Sequence, residues 1–197
     1  MQTVGTAIYV PSSWLEPLDW REVFGNDRRI EVDVGCGKGS FLLWSAQMHP
    51  DANFVGVDRL LRRLRKIDRK IQRLGLMNAR LMRVEAGYLT GYLVPKASVS
   101  AYHIYFPDPW PKRRHRQRRL MSTVFLSSLH RTLLDGGSVN CATDHEEYFQ
   151  WIQEEFGKIG GFTETRPEIP REGTETDFER EFLAAGKKIH RCRWVKG

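Results

Sequence analysis

Between residues 30 and 142, short apolar or β-branched runs alternate with helical patterns, and no other feature restricts the fold of this chain so strongly. Residues 30–34 form the first such run. It ends in Gly35, and a helical pattern over 40–48 follows after five residues, which reads as strand, tight turn, helix. A second run, 54–57, is closed by Asp58. Leu60, Leu64, Ile67, Ile71 and Leu74 then recur at intervals of four and three, the buried stripe of an amphipathic helix that stops at Gly75. Residues 79–84 supply a third strand, and 99–106 a fourth whose near-continuous apolarity suits the centre of a parallel sheet. A helix is expected from about Arg119 to Leu134, capped by Gly136-Gly137, followed by a strand over 138–142, a helix over 146–159 and a closing strand over 189–195. This order predicts a doubly wound α/β sheet with ligands in the crevice beyond the carboxyl ends of the strands. The 197 residues suit a single domain, 1–197, with an extension over 1–27 and one long irregular stretch, 162–176, that holds Pro167, Pro170 and Gly173.

Basic residues outnumber acids by 31 to 24, and they are not spread evenly. Residues 112–119 hold six Lys and Arg with no acid; residues 59–73 hold eight with only Asp68 against them. In the second cluster the apolar stripe leaves the charges on the solvent side of a helix, so a solvated face is the simpler reading. The first cluster has no stripe, follows a Pro-rich turn, and reads as a loop that contacts nucleic acid. An apolar fraction of 41% with 28% charge excludes a disordered or collagen-like chain, and no run approaches the ~18–20 apolar residues of a membrane span. The first residues lack the blocks of a secretory signal, so a cytoplasmic protein is expected. Cys36, Cys141 and Cys192 are odd in number and far apart, which offers neither a disulfide framework nor a metal site.

Two turns carry chemistry. The first, Asp33-Val34-Gly35-Cys36-Gly37-Lys38-Gly39-Ser40, brings backbone close to a ligand but puts Ser40 where a dinucleotide fingerprint needs glycine, which disfavours a nicotinamide cofactor. S-adenosylmethionine has no pyrophosphate and needs a glycine-walled bed with acids for its ribose hydroxyls. Asp33 and Asp58 stand in those places, although a ligand-free tight turn and an N-cap are the bland readings. The second turn, Phe106-Pro107-Asp108-Pro109-Trp110-Pro111, holds a carboxylate and an indole stiffly just past the fourth strand. Asp108 then faces cofactor and acceptor, while Lys112 and the arginines behind it grip phosphates.

With FPDPWPKRRHRQRR at 106–119, ATDHEEY at 142–148 and TDFE at 176–179, the chain resembles the bacterial tRNA (guanine-N7-)-methyltransferases over about residues 20–182. The resemblance implies a single Rossmann-like methyltransferase domain with an antiparallel C-terminal strand. It implies methyl transfer from S-adenosylmethionine, leaving S-adenosylhomocysteine, to N7 of the variable-loop guanine at position 46 of tRNA, without a metal. The donor would lie on Asp33, Gly35, Gly37, Gly39, Asp58, Glu85 and Asp108. The tRNA would lie on Lys112, Arg114, His115, Arg116, Arg118, Arg119, Asp144, Thr176, Asp177, Phe178 and Glu179. Asp33 stands where relatives usually carry glutamate and Glu85 where aspartate is common, and the N-terminal extension is short. Monomer and homodimer both remain open.

Guanine N7 carries a free lone pair, so its methylation needs no general base; positioning and stabilisation of a moving positive charge must do the work. Asp108 is the residue expected in the central role. Glu179 or Asp144 is expected to read the Watson–Crick edge of the guanine, and Trp110 or Phe178 to replace lost stacking. The competing readings are an amino-group methyltransferase, suggested by the likeness of DPWP to a DPPY-type turn, and an RNA-binding module without activity.

Overall fold

In a computed structural model of the chain, which describes residues 5–167, 169 and 175–197, seven strands form one sheet. They are β1 (Arg29–Val34), β2 (Ala52–Val57), β3 (Ala79–Met82), β4 (Val99–Tyr105), β5 (Leu133–Thr143), β6 (Phe162–Thr165) and β7 (His190–Lys196), in the order β3-β2-β1-β4-β5-β7-β6. Strands β1 to β5 run parallel, and β7 is antiparallel to both β5 and β6. The helices are α1 (Trp20–Phe24), α2 (Ser40–Met48), α3 (Leu61–Leu74), α4 (Ala86–Tyr88), α5 (Thr123–Thr132), α6 (Glu146–Gly157) and α7 (Asp177–Ala184).

Strand alternation divides the interior into two cores. Ile30, Val32 and Val34 of β1 join Tyr102 and Ile104 of β4 in packing against Phe125 and Leu129 of α5 and Tyr148, Ile152 and Phe156 of α6. On the other face Leu42 and Ala46 of α2 and Leu64, Ile67 and Ile71 of α3 cover Phe54 and Leu81. Of the expected stripe of α3 the middle three, Leu64, Ile67 and Ile71, are buried, whereas Leu60 and Leu74 at its two ends stay exposed because they overhang the sheet; Gly75 ends the helix in the left-handed conformation. Asp68, the one acid of that helix, turns inward and accepts the Ala7 N–H at 2.7 Å and the Thr6 hydroxyl at 3.2 Å. The Tyr9 N–H donates to the Leu81 carbonyl and the Leu81 N–H to the Ala7 carbonyl, so the N-terminal stretch covers the free edge of β3.

Four expectations need correction. The helix placed over 119–134 is shorter: Ser122 caps it, its hydroxyl accepting from Phe125 N–H, and the chain turns extended at Leu133, which pairs with Val99. Gly136 and Gly137 therefore cap no helix. They sit inside β5 where its register shifts, and a Cβ on Gly137 would lie 2.8 Å from the Leu134 carbonyl oxygen. The basic run 112–119 is not an open loop but winds as a 3-10 turn over Arg113–Arg118. The irregular stretch 162–176 begins as β6, while Pro170 and Gly173 lie outside the described residues.

Candidate active site

Each of the five parallel strands delivers one acid to the carboxyl edge of the sheet. In sheet order they are Glu85, Asp58, Asp33, Asp108 and Asp144, following β3, β2, β1, β4 and β5. Asp33, within the last residues of β1, is buried and its carboxyl has no hydrogen-bond partner among the described residues. Burial first, and the neighbouring Asp58 second, push it up to about 7. Asp58 is engaged: it accepts the Leu60 N–H at 2.7 Å and Arg63 Nη1 at 3.2 Å. Glu85 is exposed and caps α4 by accepting the Tyr88 N–H at 2.8 Å. Asp108 is exposed on its turn, and Asp144 accepts from Lys187 Nζ at 2.6 Å.

The turn between β1 and α2 takes positive φ at Gly35, Gly37 and Gly39, and the N–H groups of Gly35 and Cys36 are tied to the Val57 carbonyl. Gly39 has a second reason to be glycine, since a Cβ there would meet Ile67 of α3 at 2.9 Å. Asp33, Gly35, Gly37, Arg63, Asp177 and Phe178 line a small cleft of about 90 Å³ above this turn. Beside it lies a larger one of about 420 Å³, walled by Phe41, Trp44 and Met48 of α2 and floored by Tyr105, Asn140 and Arg191. Phe41, Tyr105 and Thr176 border both. Tyr105 is held from below, its hydroxyl 3.1 Å from His103 Nδ1, whose Nε2 lies 2.9 Å from Glu31. His103 is thus a satisfied core histidine. Burial, then Asp33 and Asp58, push the Cys36 thiol well above its ordinary range, so it is wall and not nucleophile.

The Asp108 turn is strained at both ends. Phe106 has φ of 55° and Trp110 of 41°, values that L residues with side chains rarely hold. Arg119 accounts for their persistence. It is 4% exposed, donates from Nε to the Pro109 carbonyl at 2.9 Å and from Nη2 to Glu147 at 2.9 Å, and lies between the rings of Tyr148 and Trp151. Arg119 is therefore a pin under the turn and is not presented to RNA, contrary to the sequence expectation. Arg116 shares Glu147. Lys112 and Arg114 are exposed, and Arg118, also exposed, rests its guanidinium 5.1 Å from the Trp110 ring while His115 meets that ring edge-on.

The TDFE segment opens α7. Thr176 caps the helix by accepting the Glu179 N–H, and Asp177 takes the Ser40 hydroxyl, which docks α7 on the first turn of α2. Phe178 is exposed at the small cleft, its ring stacked 6.1 Å from Phe182. Glu179 is buried and its carboxylate is taken by Arg191 of β7, so it too departs from the expected open base reader. Sequence reading missed Phe41, Trp44, Tyr105 and Arg191. The first two look like ordinary core positions of α2, and the last two acquire their place only through the strand order.

Comparison with known proteins adds four findings. The Methyltransf_4 methyltransferase family matches residues 27–192. A tRNA (guanine-N(7)-)-methyltransferase of Thermotoga maritima is 38% identical over 173 residues, 87% of this chain and 55% of that protein, so the chain spans about half of that relative's length. One of Geobacillus kaustophilus is 33% identical over 90% of this chain and 83% of its own. Among solved structures, the 16S rRNA methyltransferase KamB superposes with a TM-score of 0.67 at 18% identity, covering 92% of this chain and 95% of that one, a likeness of fold alone.

Proposed function

The chain belongs to the methyltransferase family that includes these tRNA (guanine-N7-)-methyltransferases, and from that membership we propose that it methylates N7 of the variable-loop guanine of tRNA, with S-adenosylmethionine as donor. The observation that carries the site assignment is Asp33: a buried carboxyl without a partner among the described residues, lining a cleft beside a turn with glycine at 35, 37 and 39. Such a group calls for a ligand with hydroxyl or ammonium donors and no phosphate, and an adenosyl amino acid has both kinds of donor. When bound, that donor supplies an electrophilic methyl on a sulfonium.

The protein's part is then positional and electrostatic. Asp33, Asp58 and Glu85 hold the nucleoside and amino-acid donors; the left-handed glycines let the backbone approach. Asp108, fixed by three prolines and by Arg119 under Pro109, faces the charge as it passes from sulfur to purine. It accepts no proton, because N7 has none to give. Lys112 and Arg114 meet phosphates, and Phe178, exposed at the cleft, is placed to stack on a base drawn from its tertiary contacts. Incubation of the purified protein with unmodified tRNA and methyl-labelled donor tests the reading. N7-methylguanosine at the variable loop is the expected product; label on an exocyclic amino group or elsewhere in the tRNA overturns it.

A further inference from the structure

We propose that the outward face of α3 is a second RNA contact, a track for the sugar-phosphate backbone of the tRNA whose guanine enters the crevice. It rests on the tRNA reading above and adds a surface that reading does not use. Arg62, Lys66, Arg69 and Arg73 recur at intervals of four, three and four, so they form one stripe about 16 Å long down the helix. All four are exposed, and among the described residues their side chains make no ion pair or hydrogen bond; nor do those of Arg59 and Arg65.

The arrangement runs against helix physics. Arg62–Lys66, Arg65–Arg69, Lys66–Lys70 and Arg69–Arg73 are like charges at i,i+4, where a merely solvated face gains from alternating signs. Arg62 and Arg63 also sit in the first turn, which holds no acid, at the positive end of the helix dipole. The helix's own acid, Asp68, faces inward and is engaged by the N-terminal segment. A polyanion relieves all of these repulsions together. A membrane surface is a poorer fit, because Leu64, Ile67 and Ile71 are wholly buried against the sheet and the exposed Leu60 and Leu74 stand at opposite ends of the helix, too far apart to form an inserting face. Continuity supplies the link to the site: Arg63, next to Arg62 at the head of the stripe, pairs with Asp58 and lines the small cleft, so the track starts beside the cleft at which Phe178 is exposed.

The test compares parent with the triple variant Arg62→Gln, Lys66→Gln, Arg69→Gln, leaving Arg63 intact. Binding of unmodified tRNA is measured from about 50 to 300 mM salt; the slope of log affinity against log salt should flatten by about 2 to 3, at about 0.7–0.9 per lost phosphate contact. KM for tRNA should rise at least tenfold with kcat and donor affinity holding. A second variant, Lys66→Glu with Arg73→Glu, creates opposite-charge neighbours for Arg62, Lys70 and Arg69; its thermal midpoint should rise while tRNA binding weakens. Equal salt slopes in parent and triple variant overturn the proposal, as does a loss confined to phosphatidylserine vesicles. If the parent methylates no tRNA, the enzymatic reading falls by itself, and the slopes still decide whether α3 holds RNA.

Discussion

Replacing Asp33 with asparagine should make the ligand-free protein more stable at alkaline pH while abolishing its use of the donor. The carboxyl has an ordinary value of 3.8 and a folded value of about 7. Below pH 3.8 both folded and unfolded chains hold the proton, and the group costs nothing. Between those values the unfolded chain ionises freely while the folded one is held neutral, so stability falls as pH rises and the loss is complete above about pH 7. At about 1.4 kcal/mol per pH unit across that gap, the full cost is about 4 kcal/mol, falling to about 2 at pH 5 and under about 1 at pH 4. An asparagine at this position would lack the same hydrogen-bond partners as the protonated acid, so the variant differs from the parent mainly by this electrostatic share. Urea unfolding of both proteins at about pH 4, 5, 7 and 8.5 reads it directly. The variant should be more stable by about 4 kcal/mol at about pH 8.5, with the gap closing toward acid, and S-adenosylhomocysteine should raise the thermal midpoint of the parent only. A gap independent of pH, or a variant less stable than the parent at the alkaline end, refutes the reasoning.

Gly39→Ala meets both a left-handed backbone and Ile67, whereas Gly35→Ala meets only the backbone; the first should cost about 2–5 kcal/mol and the second about 1–2. Equal thermal midpoints for the two would remove the clash from the account. Arg119→Met deletes two charge-assisted hydrogen bonds and should lower stability by about 2–4 kcal/mol without flattening the salt dependence of tRNA binding. Lys112→Gln with Arg114→Gln should do the reverse, flattening the slope by about one per contact at unchanged stability. Asp108→Asn should depress turnover far more than tRNA or donor affinity, and near-normal turnover would take Asp108 out of the central role.

What the sequence revealed and what it hid divide along the range of the forces involved. Strands β1, β2 and β4 and the buried stripe of α3 were legible because apolar periodicity is a local record of burial. The start of β5 was not: Leu133 continues the helical spacing of Phe125 and Leu129, and only its pairing with Val99 turns it extended. Asp33, Asp58 and Asp108 were legible as carboxylates at strand ends, while Glu85 and Asp144 came only through the family resemblance, and the row that all five form only through the strand order. The fates of Arg119 and Glu179 were not visible. Their partners Glu147 and Arg191 lie 28 and 12 residues away, and it is packing that decides which charged side chains face inward.

The row of acids along the carboxyl edge has a consequence for release. Five strands at about 4.8 Å spacing spread the carboxylates over a strip of about 19 Å; Asp58 and Asp144 are already countered by Arg63 and Lys187, whereas Asp33, Glu85 and Asp108 have no ion pair among the described residues. Under the tRNA reading, a phosphate beside those three acids is disfavoured and an uncharged base is not. Under the proposed chemistry the spent donor has lost its sulfonium charge, and its hold on the Asp33 side of the strip weakens at the moment transfer is complete. The methylated guanine has gained that charge, next to Asp108 and Asp144. On charge alone the nucleoside product should leave before the modified tRNA, an order that product-inhibition patterns with S-adenosylhomocysteine read directly.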